Sequence, residues 1–287
     1  MENKKVWLVT GASKGLGLTL VTKLLAAGYR VAATSRNREA LIRETGGPTS
    51  GFLPLQVDLV DEGSVRDAVA ETLRHFGTID VVVNNAGYGQ VGTLEEMSDE
   101  EIRKNFDVNV FGLVNVIRHV MPHLRTRRSG HLFNIASIGG YFAGFPGWGS
   151  YCATKFAVVG LTESLAAEAG PFGVRATVVY PGYFRTQFLE EGSLTVSARQ
   201  MAEYEEVRAI QHQHQTAING NQPGDPEKAA EVLIQVAEAP QPPVHLFLGQ
   251  DAYDMVEVKD TALHRDLEAW RKAATATAFP QENPVAS

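Results

Sequence analysis

The chain has 287 residues, of which 44% are hydrophobic and 21% are charged, and this balance predicts a globular protein with a core large enough to fold without staples. A net charge of −7 and the lack of a basic stripe argue against nucleic-acid binding. The single cysteine, Cys152, excludes an internal disulfide, and no apolar run is long enough to span a membrane. The apolar run near the N-terminus is too short for a signal peptide, so we expect a cytoplasmic protein.

Short apolar runs of the buried-strand type alternate with longer segments whose apolar residues recur at helical spacing. The predicted strands are Val6–Thr10, Arg30–Ser35, Phe52–Val57, Ile79–Val83, His131–Ala136, Arg175–Tyr180 and Val244–Leu248. The predicted helices are Gly15–Ala27, Glu62–Phe76, Glu100–Leu124 and Tyr151–Ala169, and a further helix starts at Asp225. Strands that are apolar on both sides and separated by helices predict a doubly wound α/β fold of the Rossmann type, a parallel sheet with helices on both faces.

We expect a single domain over residues 1–275 and a disordered tail over residues 276–287. The alternation breaks over residues 183–224, a polar segment that contains the unusual run Q-H-Q-H-Q at Gln211–Gln215. A segment here follows the carboxyl end of a strand, where ligands bind in such sheets, so we name residues 183–224 the substrate segment. His212 and His214 are two residues apart and do not share a helix face, so we expect no metal site.

A glycine-rich run, T-G-A-S-K-G-L-G at Thr10–Gly17, joins the first predicted strand to the first helix. Its glycines allow a tight turn close to a phosphate, and the helix N-terminus offers free N–H donors. A plain strand-to-helix turn would read similarly, but the first turn of a doubly wound sheet favours dinucleotide binding. The predicted cofactor contacts in this turn are Gly11, Ser13, Lys14, Gly15, Leu16 and Gly17.

The end of the second strand indicates which dinucleotide binds. It reads A-A-T-S-R-N and lacks the acid that an NAD site uses to bind the ribose 2′-hydroxyl. Arg36, next to Ser35, can instead form charge-assisted bonds to a 2′-phosphate, and Lys14 adds a second positive charge. Both cations are also compatible with ordinary solvated positions. The pattern favours NADP(H) over NAD(H).

Further motifs follow in order: D-L at Asp58, N-N-A-G at Asn84–Gly87, N-V-F-G at Asn109–Gly112, Ser137, Y-C-A-T-K at Tyr151, and P-G followed by Thr186. With the glycine turn they resemble the short-chain dehydrogenase/reductase family over about Val6 to Gly249. The resemblance implies cofactor contacts from Asp58 and Leu59 near the adenine, from Asn85, Ala86 and Gly87, and from Pro181, Gly182 and Thr186 beside the nicotinamide. Asn84–Gly87 could equally serve only as a strand-ending turn, since Asn and Gly favour such backbone.

Tyr151 and Lys155 are four residues apart, so they share a helix face, and we expect the ammonium to lower the pKa of the phenol. Ser137, at a strand end, would hydrogen-bond the substrate oxygen. The resemblance implies that Tyr151 donates the proton, that Lys155 also holds the nicotinamide ribose, and that Asn109 holds a water in the proton relay. We therefore predict an NADPH-dependent carbonyl reductase, reversible as an alcohol dehydrogenase, with Asn109, Ser137, Tyr151 and Lys155 as its catalytic set.

The residues that flank the catalytic positions indicate the substrate. They are Tyr141, Phe142, Phe145, Trp148, Tyr183, Phe184, Phe188 and Leu189, which either line an apolar pocket or pack the loops onto the domain. The C-terminal run P-P-V-H-L-F-L-G-Q-D-A is similar to the family branch of 17β-hydroxysteroid and retinol dehydrogenases, which implies a small hydrophobic ketone or alcohol.

The same resemblance implies a homo-oligomer, a dimer or a tetramer, since family members often pair through the long helices that hold Asn109 and Tyr151. Two alternatives to the reductase stay open at this point. One is a non-catalytic protein that senses NADP(H), and the other is an NAD(H)-dependent alcohol dehydrogenase with the same site.

Overall fold

The computed structural model describes residues 4–279, and a parallel sheet forms the centre of this part of the chain. The strands are β1 (Val6–Val9), β2 (Arg30–Ser35), β3 (Phe52–Gln56), β4 (Val81–Asn84), β5 (Gly89–Val91), β6 (Gly130–Ile135), β7 (Val174–Pro181), β8 (Leu194–Val196) and β9 (His245–Leu248). Seven of them form one sheet in the order β3-β2-β1-β4-β6-β7-β9, and every pair of neighbours is parallel. The two short strands β5 and β8 pair separately, also in parallel.

The order of the strands creates a crevice at the centre of the sheet. From β1 the chain runs outward through β2 and β3 and then returns to β4 on the other side of β1. The connections that leave β1 and β4 therefore diverge in opposite directions. Ligands bind outside the carboxyl ends of the strands at such a switch point.

Helices cover both faces of the sheet. They are α1 (Gly15–Ala26), α2 (Arg38–Thr45), α3 (Glu62–Phe76), α4 (Asp99–Phe106), α5 (Gly112–Arg127), α6 (Gly149–Ala169), α7 (Glu205–Gln213), α8 (Pro226–Glu238) and α9 (Gln250–Thr275). A π turn at Asp107–Phe111 joins α4 to α5, and a second π turn at His214–Ile218 follows α7. No helix within residues 4–279 is long and apolar enough to cross a bilayer.

Two apolar layers hold the sheet between the helices, because successive side chains of a strand point to opposite faces. Trp7 and Val9 pack in the layer with Leu24 of α1 and Leu233 of α8. Leu8 packs in the opposite layer, which contains residues of α3, α5 and α6. The doubly wound parallel sheet with helices on both faces is thereby confirmed.

The structure differs from the sequence prediction mainly in short or irregular elements. The predicted helix Glu100–Leu124 is divided by the π turn, which apolar spacing alone does not reveal. The strands β5 and β8 have three residues each, too few for a periodic pattern, and were not predicted. Helix α2 was also missed, because it buries only Leu41.

The substrate segment leaves the sheet after β7 and comes back to its own starting point. Gly224 N–H donates to the Tyr183 carbonyl at 2.9 Å, and Arg185 N–H donates to the Gly224 carbonyl at 2.9 Å. Between these ends lie β8, α7 and the second π turn. At the other end of the chain, residues 276–279 are exposed beyond α9, and the rest of the predicted disordered tail lies outside the described residues.

Candidate active site

A cavity of about 800 Å³ opens at the carboxyl ends of the central strands. It brings together nearly all of the predicted site residues: Gly11, Ser13, Lys14, Gly15, Leu16, Ser35, Arg36, Asp58, Leu59, Asn85, Ala86, Gly87, Ser137, Tyr151, Lys155, Pro181, Gly182 and Thr186. Two of the predicted residues, Gly17 and Asn109, are not part of its lining. One cavity therefore contains both the predicted nucleotide contacts and the predicted reacting groups.

The glycine turn packs tightly against the end of β4. Gly11 has φ +64°, and a Cβ atom built there would lie 2.6 Å from the Ala86 Cα atom. Gly17 is buried, and its Cβ would lie 2.4 Å from the Asn85 Nδ2 atom. Asn85 Nδ2 donates to the carbonyls of Thr10 and Gly11, both at 3.0 Å. Asn85 thus ties the two turns together, and Gly17 acts in packing rather than at the cavity surface.

The N-terminus of α1 faces the cavity with donors to offer. Its N-cap residue, Lys14, makes no side-chain cap, and no acidic residue lies in the first turn. The Gly15 N–H donates at 3.1 Å to the Oε1 atom of Gln187, a residue of the substrate segment that sequence reasoning did not select. Free N–H groups and the positive end of the helix dipole favour an anion here.

Two cations lie close together at the rim of this turn. Burial, followed by the nearby positive charge of Arg36, lowers the pKa of Lys14, while Glu190 acts in the opposite direction. Within residues 4–279 neither cation has a salt bridge. Ser35 is buried beside Arg36, and its hydroxyl accepts a bond from Asn37 N–H at 3.1 Å. Two cations that repel each other and form no salt bridge within the described residues are the electrostatic setting that a phosphate group relieves.

Asp58 and Leu59 form another part of the rim, after β3. The Asp58 carboxylate accepts a bond from Val60 N–H at 3.0 Å, which shapes the turn. The Leu59 carbonyl accepts from Asn115 Nδ2 at 2.9 Å, so α5 supports this turn from behind. These contacts hold both residues at the cavity without using the Leu59 side chain.

Tyr151 and Ser137 meet where α6 passes the end of β6. Tyr151 is 7% exposed, and burial raises the pKa of its phenol, with the Ser137 hydroxyl acting in the opposite direction. Ser137 Oγ accepts from Gly139 N–H at 3.1 Å, which leaves its own proton free to donate. The expected lowering of the Tyr151 pKa is therefore not found in this structure: burial raises the pKa, and the opposing influence comes from Ser137.

Lys155 lies one turn further along α6 and is 5% exposed. Its Nζ atom donates to the Ile135 carbonyl at 2.8 Å and lies 5.7 Å from the centre of the Tyr151 ring. Burial lowers the pKa of Lys155 to about 8. With this pKa, Lys155 is still protonated in most molecules at neutral pH.

Asn109 lies behind the cavity wall, in the π turn. Its side chain accepts from Tyr88 N–H and donates to the Tyr88 carbonyl and the Thr154 hydroxyl, all at 3.0 Å. Its Oδ1 atom is 3.1 Å from the position that a Cβ would take at Gly87. The side chain is thus committed to joining the β4 end to α6, and its role in a proton relay stays a prediction.

Thr186 and Gly182 close the cavity from the side of β7. A Cβ at Gly15 would lie 3.6 Å from the Thr186 Cβ, so Thr186 lies over the glycine turn. A Cβ at Gly182 would lie 2.3 Å from Asp251 Oδ2, the atom that accepts from Tyr183 N–H at 2.6 Å. Asp251 on α9 therefore holds the start of the substrate segment against the sheet.

Aromatic and apolar side chains form the remaining wall. Of the flanking residues selected from the sequence, Phe145, Trp148, Tyr183, Phe184, Phe188 and Leu189 line the cavity. Tyr141 packs instead against Tyr180 and Phe247. His214, which the sequence offered only as an unlikely metal ligand, is 7% exposed and lines the cavity too. Only the fold reveals it, because its neighbour Trp148 is far away in the sequence.

A buried carboxylate anchors the substrate segment. Glu96 is 5% exposed, and its Oε1 atom accepts from Met201 N–H at 2.8 Å and from Arg208 Nη1 at 2.9 Å. Its Oε2 atom accepts from the N–H and the hydroxyl of Thr93. The Met201 N–H, before the other bonds, lowers the pKa of Glu96. One side chain thereby joins α7 to the body of the domain.

Comparison with known proteins agrees with this arrangement. A family model described as short chain dehydrogenase matches residues 5–196. Human 17-beta-hydroxysteroid dehydrogenase type 1 is 30% identical, with 92% of this chain and 86% of that protein covered. The 3-ketodihydrosphingosine reductase of Bacteroides thetaiotaomicron is 34% identical over 85% of this chain and 88% of its own length.

Solved structures agree as well. The crystal structure of a short-chain dehydrogenase from Streptomyces avermitilis superposes with a TM-score of 0.87 at 36% identity, covering 96% of this chain and 100% of that one. Other solved chains with this fold contain NADH in one case and NADP+ in another. A nicotinamide dinucleotide is therefore the class of cofactor that these two neighbours contain.

Proposed function

The chain belongs to the short-chain dehydrogenase family of oxidoreductases, and we propose that it reduces a ketone or an aldehyde to an alcohol with NADPH, in a reversible reaction. The observation that carries the proposal is the buried Tyr151 beside Ser137 and Lys155, in the same cavity as the glycine turn. Reduction of a carbonyl requires a hydride at carbon and a proton at oxygen. This cavity offers a phenol as proton donor and the predicted contacts for a nucleotide that carries the hydride.

The proton is supplied by Tyr151. Burial raises the pKa of its phenol, so the hydroxyl stays protonated at neutral pH, as a donor to the developing alkoxide must be. Ser137 donates a second hydrogen bond to the same oxygen and stabilises its charge. When bound, NADPH supplies the hydride that the carbonyl carbon accepts. Lys155 would hold the nicotinamide ribose and keeps a positive charge near the phenol.

NADP(H) is the proposed cofactor because the rim of the glycine turn carries Lys14 and Arg36 with no salt bridge to either within residues 4–279. A 2′-phosphate would accept bonds from both cations. An NAD site would place an acid at the end of β2, where this chain has Ser35 and Arg36. The residues present therefore fit NADP(H), with Asp58 and Leu59 at the adenine and Thr186 at the nicotinamide.

The proposed substrate is a small hydrophobic carbonyl compound. The aromatic wall of Phe145, Trp148 and Phe188 supports this class. Two relatives are named for a hydroxysteroid and for a ketodihydrosphingosine, both of which are largely apolar. A homo-oligomer is also proposed, since Phe111, Phe156 and Leu161 are exposed on the π turn and on α6.

Replacing Tyr151 with Phe tests the function. We expect kcat with NADPH to fall about 10²–10⁴-fold for every carbonyl in a panel that wild type reduces, because the proton donor is lost. The NADPH dissociation constant should stay within about twofold, since the ring itself is kept. Tyr141→Phe is the control, because Tyr141 lies outside the cavity lining, and it should keep the wild-type rate.

Reduction by the Phe variant at near wild-type rate would show that the assigned chemistry is wrong. Binding of NADPH by wild type without reduction of any carbonyl in the panel would support the sensing alternative instead. Faster reduction with NADH than with NADPH would overturn the cofactor assignment alone.

A further inference from the structure

A polar pair, Tyr183 and His214, lies in the otherwise apolar wall of the cavity. Both residues line the cavity, and His214 is 7% exposed. The Tyr183 oxygen and the His214 Nε2 atom are 3.0 Å apart. The mechanism proposed above uses neither side chain, so their presence in this wall calls for a separate explanation.

The second ring nitrogen of His214 determines which way this hydrogen bond runs. His214 Nδ1 lies 2.8 Å from the Ile210 carbonyl oxygen. A carbonyl can only accept, so Nδ1 carries the proton. In the neutral ring Nε2 then has a lone pair, and the Tyr183 hydroxyl donates to it. No carboxylate within residues 4–279 bonds to this ring.

Because its proton is committed to His214, the Tyr183 oxygen presents only lone pairs to the cavity. No described group donates to that oxygen. Its backbone is held on both sides, since Tyr183 N–H donates to Asp251 and the Tyr183 carbonyl accepts from Gly224 N–H. The acceptor therefore has a fixed position and direction, which is the condition for selecting a ligand group.

The acceptor also lies near the reacting phenol. The rings of Tyr151 and His214 both contact Trp148, each with ring centres 5.6 Å apart. Burial is the main cause of the raised pKa of Tyr151, and the Tyr183 phenol contributes in the same direction. The two hydroxyl groups are therefore close enough to interact electrostatically. A molecule of modest size that places its carbonyl at Tyr151 can thus reach Tyr183.

We propose that the Tyr183 oxygen accepts a hydrogen bond from a hydroxyl group of the substrate, with His214 as the positioning residue that orients it. This inference rests on the proposed carbonyl reduction and narrows its substrate to hydroxylated hydrophobic ketones, or diols in the reverse direction. An apolar wall with one directed acceptor discriminates strongly, because a buried acceptor left without a donor costs binding energy.

The test uses matched ketones: 2-decalone and a set of 2-decalones that carry one hydroxyl at successive ring positions. For wild type, kcat/KM for the best hydroxylated ketone should exceed that for 2-decalone by about tenfold, the size of one neutral hydrogen bond. Tyr183→Phe should bring this ratio to about one. His214→Phe should lower the ratio as well, because the Tyr183 proton is released, and His214→Gln, which offers a carbonyl acceptor, should restore part of it.

His212→Gln is the matched control for the histidine, since His212 is exposed two residues away, and it should keep the wild-type ratio. A ratio near one for wild type at every hydroxyl position would overturn the proposal, and so would an unchanged ratio in Tyr183→Phe. An unchanged ratio in His214→Phe would remove the positioning role from His214.

A binding measurement separates this proposal from the proposed function. Trp148 contacts both Tyr151 and His214, so its fluorescence reports occupancy of the wall, and Trp270→Phe removes an exposed fluorophore on α9. A preference of about tenfold for the hydroxylated decalones in dissociation constant, without turnover, supports the acceptor and contradicts the reductase. Turnover with no preference in either measurement supports the reductase and contradicts the acceptor.

Discussion

The two ends of the cavity are built in different ways. At the nucleotide end, the glycine turn brings backbone to the cavity wall beside Lys14 and Arg36, and it packs so closely that a side chain at Gly11 would meet the Ala86 backbone. At the substrate end, around Trp148, Tyr183 and His214, side chains form the surface, and two of these three residues belong to the substrate segment. Backbone surfaces suit a ligand that never changes, whereas side chains on a long segment can be exchanged to suit a particular substrate.

The ends also differ in what holds them in place. The glycine turn follows β1, which pairs with β4 at the centre of the main sheet, so its position follows from the ladder of backbone bonds. Helix α7 is joined to the domain through the carboxylate of Glu96. We therefore expect changes at the nucleotide end to affect cofactor binding, and changes around Glu96 to affect substrate binding alone.

The largest expected effect is at the backbone surface. Gly11→Ala should weaken NADPH binding by a few hundredfold, since a positive φ and a 2.6 Å contact with backbone together cost roughly 3–4 kcal/mol. Gly46→Ala is the matched control, because Gly46 has φ +86° but nothing within 4 Å of its Cβ position. It should lower the stability by about 1 kcal/mol and leave NADPH binding unchanged. Wild-type NADPH affinity in Gly11→Ala would show that the turn tolerates displacement.

The next effect concerns the charge at the nucleotide end. Arg36→Asp should weaken NADPH binding about 50-fold, because a charge-assisted bond is replaced by repulsion. NADH binding should change by less than about threefold, since NADH has no 2′-phosphate. Titration of both cofactors against wild type and the variant measures the difference. Equal losses for the two would remove Arg36 from the phosphate site.

The smallest effect sharpens the comparison at the substrate end. Glu96→Gln should raise KM for the ketone about tenfold. Both carboxylate oxygens of Glu96 accept from a backbone N–H, and in glutamine one of these oxygens becomes an NH2 group, which cannot accept. The NADPH dissociation constant should not change. Glu100→Gln, at an exposed residue on α4 whose side chain makes no hydrogen bond within the described residues, should leave both constants as in wild type. A parallel loss of cofactor affinity in Glu96→Gln would mean that the two ends are coupled.

Acid should reproduce the effect of that substitution. The pKa of Glu96 is lowered in the folded chain, chiefly by the Met201 N–H, so its contribution to stability is complete above the ordinary value of 4.5 and is lost as the pH falls through the folded value. The difference in unfolding free energy between wild type and Glu96→Gln should therefore be constant near neutral pH and shrink as the pH falls below 4.5. A difference that grows on acidification would contradict this sign.

The sequence predicts the parts of the molecule that depend on local pattern. The seven main strands are continuous apolar runs, and Asp225 with Pro226 marks the start of α8 correctly, since the Asp225 side chain accepts from Glu227 N–H. The residues of the glycine turn and of α6 meet in one cavity because parallel strands bring their carboxyl ends to one edge.

The remainder depends on contacts that are distant in sequence. The pairing of β5 with β8 spans about a hundred residues. The burial of His214 follows from its contact with Trp148, which lies at the start of α6. The direction of the Tyr151 pKa was also mispredicted, because the spacing of Tyr151 and Lys155 says nothing about how deeply both are buried. Desolvation is a property of the folded molecule.

The π turn at Asp107–Phe111 has a consequence for chain length. A π turn contains one residue more than an α turn, so the helical stretch from Asp99 to Arg127 carries a single-residue insertion in its register. Losing one residue there would yield a regular helix in which Asn109 turns about 100° away from Tyr88 and Thr154. In a library of single-residue deletions, those at the π turn should keep the helix and the fold but lose activity, because Asn109 is moved. Deletions within α5 should impair folding, because they displace its buried face.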